Sequence, residues 1–246
     1  MRYLLTIRYI GTAYHGWQVQ ENALAIQPII QDALQEMFPH RPGVTGCSRT
    51  DSGVHANMYC CHFDSPLERD PFGIICSVNR NLPNDIAATH CRVVDEEFHA
   101  RYSVTAKEYV YRIYNGVHRD PFAHQLAYHY RFPLHHEAMH QAAQHFVGTY
   151  DFSSFCANNA KPGDRTRQVF AASVERDGDY VVFRVSANGF LYNMVRIMVG
   201  TLLRVSEGKF TPDQIPEIIA ARCRDRAGPT APPQGLYLNQ VFYEEV

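Results

Sequence analysis

The stretch from Gly46 to Ala56 reads Gly-Cys-Ser-Arg-Thr-Asp-Ser-Gly-Val-His-Ala, and its residue types could do chemistry. Asp51 is its only carboxylate, Arg49 stands two residues before it, and Gly46 and Gly53 flank it. Glycines let a loop make tight or left-handed turns, so a single acid held there can be aimed at a ligand. The same residues also suit a surface turn in which Asp51 caps its own backbone. Ser48, Ser52 and His55 share the stretch, but a serine nucleophile needs a base within hydrogen-bond reach, which spacing alone does not supply. Cys47 has only Arg49 beside it to favour a thiolate, and reads as a small buried residue.

The most literal motif lies elsewhere. His136-Glu137-Ala138-Met139-His140 is an H-E-x-x-H, which on a helix sets two imidazoles one turn apart for zinc, with Glu137 as base. Pro133 and Leu134 put it in the first turn of its helix. No G-x-x-H continuation follows, and 13 histidines make chance matches easier. Glu175 is a candidate third ligand. No G-x-G-x-x-G opens a helix after a strand and no Walker lysine is present, so nucleotide-cofactor enzymes drop out as leading candidates. Arg196 interrupts the apolar run Leu191 to Leu203. A mid-helix arginine on a buried surface calls for a carboxylate or phosphate partner, or snorkels at the edge of the core. Asp51 and Arg196 are therefore a candidate pair. Tyr109 is either ordinary strand packing or a stacking platform for a base.

The elements that must position these residues follow from periodicity. Tyr3, Leu5, Ile7 and Tyr9 alternate with polar neighbours as a strand. Ile26, Ile29, Ile30, Ala33, Leu34, Met37 and Phe38 recur at helical spacing, and Pro39 and Pro42 stop that helix. A short strand near Val44–Gly46 leads into the Asp51 loop and Ala56–Phe63 leads out. A helix is expected from Pro71 to about Asn79, and strands over Ile86–Val94 and Phe98–Val104. The second half opens with a strand, Lys107–Tyr114, followed by a helix over His135–Val147. Val169–Val174 and Tyr180–Ala187 flank Arg176-Asp177-Gly178-Asp179, where Asp-Gly signals a hairpin. Leu191–Val205 reads as an apolar helix. Thr211-Pro212-Asp213-Gln214 is a capping box with proline at the first helical position, and Leu236–Tyr243 is a final strand. The order implies an α+β protein of two related split β-α-β subdomains, 1–104 and 105–246, sharing a continuous antiparallel sheet.

Composition bounds the answer. The chain has 246 residues, 46% hydrophobic and 20% charged, which is ordinary for a globular protein with a real core. No apolar run approaches the roughly 20 residues a membrane-spanning helix needs, and Met1 to Tyr9 carry no signal core, so the expected location is the cytoplasm. The 7 cysteines form no C-x-x-C pair and fit reduced thiols. A net charge of −2 does not advertise a nucleic-acid binder. Of 23 basic residues, however, only Lys107, Lys161 and Lys209 are lysine. The arginines permit a local RNA-binding face, and a codon bias accounts for them equally well.

Set side by side, several segments resemble the family of tRNA pseudouridine synthase A. They are Tyr14-His15-Gly16-Trp17-Gln18-Val19-Gln20, Arg49-Thr50-Asp51-Ser52-Gly53-Val54-His55-Ala56, Asn81-Leu82-Pro83, Phe98-His99-Ala100-Arg101 and Lys107-Glu108-Tyr109-Val110-Tyr111-Arg112. They continue with Asp151-Phe152-Ser153-Ser154-Phe155, Asn193-Met194-Val195-Arg196-Ile197-Met198-Val199-Gly200 and Gly235-Leu236-Tyr237-Leu238. The resemblance spans nearly the whole chain. It implies two subdomains on one sheet, with helices on one face and the active-site cleft on the other. It also implies a homodimer in which one tRNA touches both subunits, isomerisation of uridine to pseudouridine at tRNA positions 38, 39 and 40, and no metal or cofactor. By resemblance Asp51 is the essential carboxylate, Tyr109 stacks on the target base and Arg49 helps displace the nucleotide. Arg196 is assigned to hold Asp51 in its charged form, since a nearby cation lowers a carboxylate pKa that burial would raise.

The sequence departs from the family pattern at Ser48, where glycine is usual, at Ser52, where alanine is usual, and at Tyr192, where histidine is common. The Arg165-Thr166 segment is shortened. Two competing readings stand beside this one: a non-catalytic RNA-binding module on the same fold, and a zinc hydrolase using His136 and His140.

Overall fold

The computed structural model describes residues 1–160 and 163–244. They form an α+β protein of two compact units. Unit 1 is Met1–Thr105 together with the chain from Tyr237 onward, and unit 2 is Ala106–Leu236.

In unit 1, β1 (Arg2–Tyr9) lies between β3 (His55–Asp64) and β4 (Ile86–Val94) and is antiparallel to both. Tyr3, Leu5, Ile7 and Tyr9 are buried, as their alternation requires. Leu4 is buried as well, on the opposite face. The short β2 (Val44–Gly46) pairs with the far end of β3. α1 (Ile26–Gln35) buries Ile26, Ile30, Ala33 and Leu34, the stripe expected from its spacing. α2 (Pro71–Asn81) starts where Asp70 accepts the Gly73 N–H at 2.9 Å, with proline at its first position. Full burial of side chains such as Tyr3, Phe63 and Ile30 contributes roughly 1.5–3 kcal/mol each.

Two expectations change here. Phe98–Ser103 is a turn rather than a strand. The His99 carbonyl accepts both the Tyr102 and Ser103 N–H groups, and buried His62 takes the Ala100 N–H on Nδ1 at 3.0 Å. Those local bonds outcompete a ladder. The last strand, β10 (Leu236–Tyr243), groups from Tyr237 onward with unit 1 rather than with the second half. Tyr237 and Leu238 pair in parallel with His55 and Ala56 of β3, so the sheet of unit 1 is mixed.

His62 also sets an acid sensitivity. Burial, with Arg2 and His99 nearby, lowers its pKa from 6.5 to about 4. Between those values the unfolded chain binds a proton that the native chain does not, so stability falls as pH falls through that window. Urea melts at about pH 7 and about pH 5 should therefore show a smaller acid loss in His62→Asn than in the unmodified chain. An equal loss in both would remove His62 as a source.

In unit 2 the strands run in the order β5 (Val104–Tyr114, in this unit from Ala106 on), β9 (Tyr180–Ala187), β8 (Thr166–Asp177), β7 (Gly148–Asp151), each antiparallel to its neighbour. The two-residue β6 (Tyr128–His129) adds to β5 in parallel. The expected hairpin joins β8 to β9, with Asp177 opposite Tyr180 and Gly178 left-handed at φ +55°. α3 (His136–Gln144) packs on β8 and beside α4 (Met194–Ser206). The capping box at Thr211 opens a 3₁₀ turn before α5 (Ile215–Ala220). No helix among the described residues is long and apolar enough to cross a membrane.

Candidate active site

The Asp51 loop joins β2 to β3 in unit 1, and its two glycines do different jobs. Gly53 is left-handed at φ +77° and is the third residue of a turn closed by the Val54 N–H on the Asp51 carbonyl at 3.2 Å. A turn of this kind needs glycine there. Gly46 ends β2, where a Cβ would collide with the Tyr59 hydroxyl and the Trp17 indole. Its bare Cα lets those rings pass beneath the loop.

The loop is pinned from below. Tyr59 is fully buried, stacks on Trp17 at 4.2 Å and donates its hydroxyl to the Ser48 carbonyl. Burial pushes the Tyr59 phenol well above its ordinary pKa, so it stays a donor. The hydroxyls of Tyr9 and Thr50 meet at 2.8 Å in the interior. The Trp17 N–H reaches the Thr50 carbonyl at 3.3 Å, and the Gly53 N–H reaches the Tyr14 carbonyl at 3.1 Å. With residues 48, 50 and 53 tied, Asp51 is presented half-buried and Arg49 exposed. Loop placement therefore rests on the core, which pre-organises a carboxylate before any ligand arrives.

The other nucleophile candidates are engaged. Cys47 is fully buried. His55 is buried against Tyr237 at 4.6 Å between ring centres, and its Nδ1 accepts the Gly11 N–H at 2.9 Å. The Ser52 hydroxyl donates to the Tyr14 carbonyl at 3.4 Å. Neither serine is paired with His55 as nucleophile and base.

Unit 2 carries Tyr109 and Arg196. Tyr109 lies on β5 opposite Val185, on the same face as Tyr111 and Ile113. It is 6% exposed, and its ring meets Phe190 edge-on at 5.0 Å. Arg196 sits in the first turn of α4, half-buried. Its Nε donates to the Ala231 carbonyl at 2.7 Å and its Nη1 to Asn193 Oδ1 at 2.8 Å. The segment carrying Ala231 lies against α4 because two glycines permit it. A Cβ at Gly200 would strike the Pro229 carbonyl, and one at Gly228 the backbone of Gly200. The Gly228 N–H bonds Thr201 Oγ1 at 2.9 Å, and Tyr111 donates to the Pro232 carbonyl at 2.7 Å.

The H-E-x-x-H does not assemble a metal centre. Nδ1 of His136 faces Glu137 at 3.2 Å, and Nδ1 of His140 accepts the Val174 N–H at 3.2 Å. Among the described residues no group of three or more histidine, cysteine, aspartate or glutamate side chains could hold a metal ion. The motif instead ties α3 to β8.

Sequence reasoning missed the supports Tyr59, Trp17, Phe190 and Asn193. The aromatic ones look like any core residue in a pattern. Asn193 left one signal, its place three residues before an arginine inside an apolar helix.

Comparison with known proteins identifies the class. Residues 142–244 match the family model described as tRNA pseudouridine synthase, a class of RNA-modifying isomerases. A protein of Bacillus pumilus named tRNA pseudouridine synthase A is 44% identical over 99% of this chain and 100% of its own length. One of Ruminiclostridium cellulolyticum with the same name is 45% identical over 97% of this chain and 98% of its own. One from Bacillus subtilis is 40% identical over 99% and 100%. The chain belongs to the tRNA pseudouridine synthase A family and is an enzyme of that isomerase class.

Proposed function

We propose that this chain isomerises uridine to pseudouridine in the anticodon stem-loop of tRNA, at positions 38, 39 and 40. The observation that carries the reading is identity of 40–45% across at least 97% of the chain to proteins named tRNA pseudouridine synthase A. The pinned loop with its single carboxylate supports it. The target nucleotide leaves the stack before reaction, since enzymes acting on a base generally extrude it. The N1–C1′ bond then breaks, the uracil turns, and C5 bonds to C1′ of the same ribose. C5 loses its proton and N1 gains one, so the product is an isomer and no co-reactant is consumed.

Asp51 is the catalytic carboxylate. It attacks C1′, adds to C6 of the uracil, or removes the C2′ proton, and all three routes require it ionised. Arg196 supplies the positive charge that favours that state. Tyr109 stacks on the uracil, allowing rotation in plane while limiting escape, and Arg49 helps displace the nucleotide. The enzyme works as a homodimer with tRNA contacting both subunits, which rests on the family resemblance, and in the cytoplasm, which rests on the sequence pattern at Met1 to Tyr9.

Site-resolved mapping of pseudouridine in unmodified tRNA treated with the protein tests the assignment. Product confined to positions 38–40 is expected. Product elsewhere would refute the anticodon assignment, and none at all would refute the activity. For Tyr109, phenylalanine should keep most of the rate, whereas alanine should lose about tenfold or more, since stacking on one base is worth about 1–3 kcal/mol. Equal rates in the two variants would count against a stacking role.

A further inference from the structure

The start of α4 is built in an unusual way. Its N-cap, Asn193, holds φ 60° and ψ 11°, the left-handed region that asparagine enters more readily than other non-glycine residues because its short amide bonds locally. An N-cap asparagine ordinarily adopts an extended backbone and accepts an N–H of the first turn on its side chain. Asn193 makes no such capping bond. Its Oδ1 accepts Nη1 of Arg196 at 2.8 Å instead. An arginine can only donate, so the asparagine must present its oxygen, which fixes the amide orientation. On a second edge of the guanidinium, Nε donates to the Ala231 carbonyl at 2.7 Å, and the Ala231 N–H returns to the Arg196 carbonyl at 3.0 Å.

We propose that Asn193 is a positioning residue for the reaction, acting through Arg196. The proposal rests on the role given to Arg196 above. An arginine side chain carries about 2 kcal/mol of rotamer entropy, which a charge-presenting group would otherwise lose in the reacting complex. Two fixed acceptors on different edges of the planar guanidinium, one at Nε and one at Nη1, hold that plane in one orientation beforehand. The left-handed backbone of Asn193 aims its short amide back at the residue three positions on. An apolar side chain at 193 has no acceptor to make that bond.

Asn193→Gly tests this, because glycine accepts the left-handed backbone without strain and removes only the acceptor. In single-turnover assays the rate of pseudouridine formation should fall about tenfold, with tRNA binding within about twofold and thermal stability maintained. The same change placed in Arg196→Lys protein, which lacks Nη1, should cost nothing further. An unchanged rate in Asn193→Gly, or an equal added loss in the Arg196→Lys background, overturns the proposal. A fully active Arg196→Leu protein would instead overturn the role of Arg196 itself, so the two failures are distinguishable.

Discussion

Asp51→Asn protein is expected to bind tRNA as the unmodified chain does and to form pseudouridine at a rate lower on the order of 10⁴-fold or more. The binding half of this result follows from how the loop is held. The ties at residues 48, 50 and 53 are Tyr59 to the Ser48 carbonyl, Tyr9 to Thr50 and the Gly53 N–H to the Tyr14 carbonyl. The turn at Asp51 itself closes through the Asp51 carbonyl, which asparagine retains. The side chain is half-buried rather than sealed in the core, so an isosteric amide leaves the fold close to native. The rate half follows from chemistry. An amide cannot supply the electron pair of a carboxylate, whether the route runs through C1′, C6 or the C2′ proton. Release of tritium from tRNA carrying 5-tritiated uridine reads the loss of the C5 proton directly. Appreciable release from Asp51→Asn would remove Asp51 as the essential group, whatever its effect on affinity.

The parts of this molecule that were readable in the sequence are those decided by near neighbours. Ile26, Ile30, Ala33 and Leu34 share a helical stripe, and that stripe is what α1 buries. The Asp-Gly hairpin and the Thr211 capping box carry their geometry in two to four residues. Where competing bonds came from elsewhere, the local pattern misled. Phe98–Ser103 has strand-like residues, yet His62, far back in the chain, captures the Ala100 N–H and the segment turns. β6 and β7 are too short for periodicity to register. The grouping of β10 with the first unit depends on a ladder to His55 and Ala56, about which Leu236–Tyr243 says nothing locally.

The site shows the same division. Gly46 and Gly53 both flagged a special loop, but only the folded chain separates the left-handed turn at Gly53 from the close ring contact at Gly46. The H-E-x-x-H was the most literal motif and yields a helix-to-strand tie at His140. A pattern of five residues names possible ligands without saying what else their nitrogens will meet. Arg196 was conspicuous because it broke an apolar run. The Ala231 carbonyl that accepts its Nε was not, because a backbone carbonyl leaves no trace in residue type.

Arg196→Leu should lose activity by far more than its stability changes. Leucine suits a helix whose neighbours Val195, Ile197 and Met198 are buried, so the helix itself persists. Among the bonds the substitution removes are those to the Ala231 carbonyl and to Asn193 Oδ1. Groups so released cost about 1–3 kcal/mol when buried, and less here because Arg196 is half-exposed and water can reach them. For a chain of this size that corresponds to a fall in melting temperature of about 2–4 °C per kcal/mol, leaving the protein folded at assay temperature. The rate should nevertheless drop by roughly 10²-fold or more, the scale on which a fixed charge at a reacting group acts. Arg196→Lys separates charge from geometry. A lysine keeps the charge without the planar fork, so it should recover part of the rate and neither of the two held edges. Melting curves and single-turnover rates on the same preparations decide between outcomes. A folded Arg196→Leu protein with full activity would take Arg196 out of the mechanism and leave the arginine a structural tie between α4 and the Ala231 segment.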